Sequence, residues 1–107
     1  MTAASDLTVV IPTRDRIPIL TRTLDALAQQ TVSGFAVVVV LDGEDQPVPE
    51  AREGVRFLQV SQGGPGRARN LGVSQTATPL VLFLGDDMIP TPQLVERHLA
   101  RHAAEGG

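Results

Sequence analysis

Three apolar runs dominate the chain: Leu7 to Pro12, Phe35 to Leu41 and Pro79 to Leu84. Each is short, aliphatic or β-branched, and nearly unbroken. A strand with one wet face alternates apolar and polar positions, whereas an unbroken run fits a strand covered on both faces, as in a parallel sheet. A fourth run, Val55 to Val60, is shorter and carries Arg56 and Gln59, as expected of an edge strand.

Helical spacing fills the gaps. Ile17, Leu20, Leu24, Leu27 and Ala28 share one helix face. Pro18 suits the first turn of that helix and Gly34 is a stop. Pro65 to Ala77 is a weaker helix, with Ala68, Leu71 and Gln75 on one face and Gly72 inside. A last helix is predicted from Thr91 as N-cap, with Pro92 in its first position and Leu94, Val95, His98 and Leu99 as the inner stripe.

The order is strand, helix, strand, strand, helix, strand, helix. The link from Asp42 to Gly54 has room for one short turn of helix, which keeps the next strand parallel. Right-handed crossovers then give an α/β fold with a sheet of about four strands in the order 3-2-1-4, helices on both faces.

With 107 residues there is length for one small domain. Only three Phe and no Trp or Tyr are present, so the core is aliphatic. Scarce aromatics and a net charge of −3 argue against a nucleic-acid partner. All nine cations are Arg; coding bias produces this easily, and Arg also suits bidentate phosphate contacts. The lack of Cys excludes disulfides and thiolate metal sites. No signal-peptide pattern and no apolar run near the ~20 residues of a membrane helix is present, so a cytoplasmic chain is expected, membrane-associated if a longer native protein exists.

The candidate chemistry follows the buried strands. Thr13, Arg14, Asp15 and Arg16 come after the first, Asp42, Gly43, Glu44 and Asp45 after the second, and Gly85, Asp86 and Asp87 after the last. In a parallel sheet these ends share one edge, and ligands bind there, near the point where strand order reverses. Crowded carboxylates repel unless a cation joins them, and Mg²⁺ or Mn²⁺ suits oxygen ligands. Asp42 is placed to accept a hydrogen bond from a nucleobase imide N–H, although Asp-Gly is also a common turn pair. Asp86 and Asp87 lie several residues before the last helix, which weakens the reading that they only cap it. The Gly-rich stretch from Gly63 to Asn70 runs into a helix and lacks the Walker lysine. Arg69 is its candidate for a base or phosphate contact, while Arg67 reads as solvated. His98 and His102 stand four apart but read as a packed or surface helix pair, and no Ser-His-Asp arrangement is visible.

Together these residues resemble the family 2 glycosyltransferases of GT-A fold. Val10, Ile11, Pro12 and Thr13, followed by Asp15 and Arg16, are similar to the family's V-I-P-T-Y-N-R opening. Val38 to Gly43 is similar to V-V-D-D-G, with Leu41 in place of the first acid. Gly64 to Gly72 resembles G-x-x-x-A-R-N-x-G, and Val81 to Pro90 resembles the region of the DXD motif, with Gly85 where many members carry the first acid. The resemblance implies a Rossmann-like three-layer αβα domain and an inverting transfer from a nucleoside diphosphate sugar, with a UDP-linked donor expected. It implies nucleotide contacts from Pro12, Thr13, Asp15, Asp42, Arg69 and Asp86, and a Mg²⁺ or Mn²⁺ ion on Asp86 and Asp87. It also implies that residues 1–107 are the donor-nucleotide-binding part of a larger domain. The acceptor half and general base are then absent and the isolated chain inactive.

Two alternatives stand beside this. One is a non-catalytic nucleotide-binding or interaction module on the same fold, with exposed apolar surface covered by a partner or a second copy in a homodimer. The other, a sugar nucleotidyltransferase, wants a Gly-rich loop directly after the first strand, which Pro12 to Asp15 is not. The acceptor, whether glycan, lipid or small molecule, is not named by the sequence.

Overall fold

The computed structural model describes residues 3–14, 16–43, 48–61 and 64–106, without the side chains of 64, 65 and 102–106. The sequence-predicted Asp15, Glu44, Asp45, Gly63 and the side chain of His102 lie outside the described residues.

Four strands form one parallel sheet: β1 (Leu7–Thr13), β2 (Ala36–Asp42), β3 (Val55–Val60) and β4 (Leu80–Phe83). Their order is β3-β2-β1-β4, as the crossover rule required, and every pairing is parallel. Helices α1 (Ile17–Ala28) and α3 (Leu94–Gly106) cover one face, and α2 (Gly64–Ser74) covers the other. Residues 48–51 of the β2–β3 link show no turn of helix, and Arg52 forms a bridge with Val55 instead.

The two faces are built differently. On one, Leu20, Leu24 and Leu27 of α1 and Val95 and Leu99 of α3 bury against Leu7, Val9, Ile11, Val37, Val39 and Leu41. On the other, Ala68 packs on Val38 and Val40 with Leu71 beside it. Gly72 allows α2 to come close, because a Cβ there would stand 2.5 Å from Val10 Cγ1 and 3.2 Å from Val40 Cγ2. Interiors this dense do not absorb an added methyl without displacement.

Three expectations change. Ala28 is exposed, and the inward position on α1 belongs to Thr23, completely buried. The last helix starts at Leu94 and not at Pro92; Thr91 accepts the Leu94 amide in a preceding turn. Finally, β4 is not covered on both faces. It is an outer strand with Phe83 48% exposed, because only β1 flanks it. No described helix is long and apolar enough to cross a membrane.

Candidate functional site

Parallel pairing sets the carboxyl ends of β1, β2 and β4 side by side. Thr13 lies opposite Leu41, Asp42 opposite Val60, and Val10 opposite Phe83. The chain leaves β2 through Gly43, whose φ of +136° suits glycine and whose amide donates to Val60 O at 2.9 Å. Asp42 is thereby held at the last rung of the ladder, 5% exposed.

Asp86 reaches the same place by other means. Its Oδ2 accepts a buried 2.8 Å hydrogen bond from Thr13 Oγ1, and its Oδ1 stands 3.5 Å from an Arg16 guanidinium nitrogen. The acid after β4 is thus tied to the end of β1. Gly85 and Met88 close the turn through a 3.2 Å bond from the Met88 amide to Gly85 O. Asp87 is exposed, and its Oδ1 lies close to Gly85, where an added Cβ would stand 3.0 Å from it.

These ends enclose a cavity of about 370 Å³, lined by Pro12, Thr13, Arg14, Arg16, Asp42 and Asp86, with Ala68 and Gly85 completing the wall. Its size lies within the ~300–1,000 Å³ of ordinary ligand sites. A larger cavity, about 720 Å³, opens at the amino edge, among Leu24, Leu27, Val32, Phe35 and Val55. Its one acid, Glu53, stands beside Arg52 with no second carboxylate in the lining, and ligands of open α/β sheets bind at the carboxyl edge and not at the amino edge. The smaller cavity is therefore the candidate site.

Of the residues singled out in the sequence, the fold brings Pro12, Thr13, Asp42 and Asp86 together. Arg69 is exposed on α2, outside the lining, and its neighbour Ala68 forms the wall. Asp87 is exposed and is not part of the lining. Among the described residues no three acidic or histidine side chains converge as a ready-made metal cluster. The crowding of carboxylates inferred from strand ends is relieved differently, because Asp86 is met by a hydroxyl and a guanidinium.

Sequence reasoning missed Thr23 and Gln30. Thr23 lies on the side of α1 that faces the acid turn, with Oγ1 2.8 Å from Asp86 O and 2.7 Å from Met88 O, and Gln30 lies two residues past the end of α1. The Gln30 amide nitrogen donates to Thr91 O at 2.8 Å, and its carbonyl oxygen accepts the Val95 amide at 3.0 Å, in the first turn of α3. The available signal was polarity at inward helical spacing, since Thr23 falls three residues after Leu20 and Gln30 three after Leu27.

A parallel sheet in this order between helices, with acids and arginines around a cavity at its carboxyl edge, is an α/β domain of the GT-A fold. S. aureus TarS 1–349, solved in complex with UDP-GlcNAc, superposes with a TM-score of 0.80 over 94% of this chain and 32% of its own, at 23% identity. The mannosyltransferase PcManGT of Pyrobaculum calidifontis, solved with GDP-Man and Mn²⁺, superposes with a TM-score of 0.63 over 87% of this chain and 32% of its own, at 17% identity.

The particular family is glycosyl transferase family 2, to which the chain belongs: the model of that family matches residues 8–107. Validoxylamine A glucosyltransferase of Streptomyces hygroscopicus subsp. jinggangensis is 37% identical over 91% of this chain. The chain spans about a quarter of that relative's length, as the matched region is 25% of it.

Proposed function

We propose that the chain is the donor-binding part of a glycosyltransferase that moves a sugar, with inversion, from a UDP-linked donor to an acceptor. The observation that carries this is the meeting of Asp42, Thr13, Asp86, Arg14 and Arg16 around one cavity at the sheet's carboxyl edge. Asp42 accepts the imide N–H of the base. Thr13 and Pro12 form the wall beside it. Arg14 and Arg16 offer positive charge to the diphosphate. Asp15 and Arg69 join the nucleotide contacts as implied by the family motifs.

Asp87 is an exposed carboxylate with hard oxygen donors, which fits Mg²⁺ or Mn²⁺. Asp87 would hold the ion, with Asp86, already engaged with Thr13 and Arg16, beside it. When bound, the ion offsets charge on the departing diphosphate. The general base and the acceptor contacts belong to the longer protein, and the isolated chain binds donor without efficient transfer.

Calorimetric titration of the chain with UDP, with and without Mn²⁺, tests this. Binding is expected to strengthen with Mn²⁺, to lose that gain in Asp87→Ala, and to fall with or without metal in Asp42→Ala. Weak binding indifferent to metal and to both substitutions favours the non-catalytic module instead. That second reading draws on exposed Phe83, Met88 and Ile89 beside the site, an apolar surface suited to cover by a partner or a second copy.

A further inference from the structure

The turn that carries Asp86 and Asp87 has no regular secondary structure of its own. It follows β4, a strand of four residues paired only to β1, and precedes α3 by several residues. Its single described internal backbone bond, Met88 N–H to Gly85 O, is 3.2 Å long. A turn so lightly held samples other shapes unless something outside it fixes the peptide planes.

Helix α1 supplies that fixation. The Thr23 side chain is fully buried, and its one hydroxyl proton is shared between Asp86 O and Met88 O at 2.8 and 2.7 Å. These carbonyls flank the Asp87 residue on both sides. Just past the end of α1, Gln30 holds Thr91 O and the Val95 amide, and the Thr31 amide donates to Pro92 O at 2.8 Å. The stretch from Asp86 to Val95 is thus pinned at one end by α1 and at the other by the residues that follow it. A buried hydroxyl on an otherwise aliphatic stripe costs stability unless it is bonded. Here its bonds go to the acid turn alone.

We propose that Thr23 is a positioning residue that sets where Asp87 presents its carboxylate, and so controls metal-assisted donor binding without touching the donor. This rests on the donor-binding reading above. Thr23→Val keeps the shape and removes the donor proton. Thr23→Ser keeps the proton. Thr21→Val is the control, since its hydroxyl only returns to Ile17 O within α1 at 2.8 Å.

UDP affinity is measured by calorimetry, with and without Mn²⁺, on the wild-type chain and the three variants, each below its melting temperature. Outer-shell supports of metal ligands typically cost 10–100-fold when removed. Thr23→Val is expected to lose roughly that factor in the Mn²⁺-dependent part of affinity, with metal-free UDP binding retained. Thr23→Ser and Thr21→Val are expected to stay near wild type. Equal losses with and without Mn²⁺, or a Ser variant as weak as the Val variant, would overturn the proposal.

Amide hydrogen exchange gives a ligand-free readout. The Met88 amide is expected to exchange about tenfold faster in Thr23→Val but not in Thr23→Ser, a factor equal to about 1.4 kcal/mol of lost protection. Unchanged exchange overturns the positioning role even if UDP does not bind. Failure of wild-type chain to bind UDP while Met88 exchange still responds to Thr23→Val sinks the donor-binding reading and leaves the positioning of the turn standing.

Discussion

The two acid turns at the sheet's carboxyl edge reach the same cavity by different routes. Asp42 is the last residue of β2, in register with Val60, and the ladder itself fixes it. The pair Asp86 and Asp87 lies past the end of β4 and is fixed by side chains from elsewhere: Thr13 of β1, Arg16 after it, and Thr23 of α1. A residue on a central strand inherits its position from many backbone bonds, so no single side chain is decisive. A residue on a turn beyond an outer strand depends on a few long-range bonds, and each of those is a point of failure. The more exposed turn is also the one assigned to the metal, where some freedom to adapt is useful.

Breaking the support of each turn sharpens this contrast. Leu41→Ala, beneath Asp42, removes a fully buried side chain from the main cluster and should cost about 2–5 kcal/mol in urea unfolding. The loss should appear as global destabilisation, with UDP affinity preserved while the chain is folded. Thr13→Val leaves the buried Asp86 Oδ2 without its hydroxyl donor and should cost about 1.5–3 kcal/mol. Unlike Leu41→Ala, it should also weaken UDP binding in the folded chain. Asp87→Ala touches an exposed side chain and should change stability by no more than about 0.5 kcal/mol, while removing the Mn²⁺ enhancement of UDP binding. Finding that Asp87→Ala unfolds the chain would show that the exposed acid is part of the frame and would erase the contrast.

Asp42 was legible because its signal is local. An unbroken Val37 to Leu41 run specifies a doubly covered strand, and the Asp-Gly pair marks where it stops. The sheet order was legible because chirality leaves few topologies. Gly72 was noticed but not explained until α2 was seen lying against Val10 and Val40. Thr23 was passed over because a threonine between Arg22 and Leu24 carries no signature at short range; its bonding partners lie 63 and 65 residues away. The start of α3 was misplaced for a related reason. Thr91 and Pro92 form a reasonable local start signal, but the α3 amide at Val95 is satisfied by Gln30, just past the end of α1.

The sequence by itself determined the strands, their parallel order and the set of acids that lie at one edge, because strand periodicity, chain handedness and turn chemistry are all local properties. It also carried the family motifs, spread over nearly the whole chain. Only the tertiary structure decided where each acid sits. Asp86 turned inward to Thr13 and Arg16, Asp87 stayed exposed, and Arg69 stayed outside the cavity lining. Adjacent residues of identical type are indistinguishable to any rule of composition or spacing. They become different when a hydroxyl on β1 and another on α1 fix one carboxylate and the peptide planes around the next.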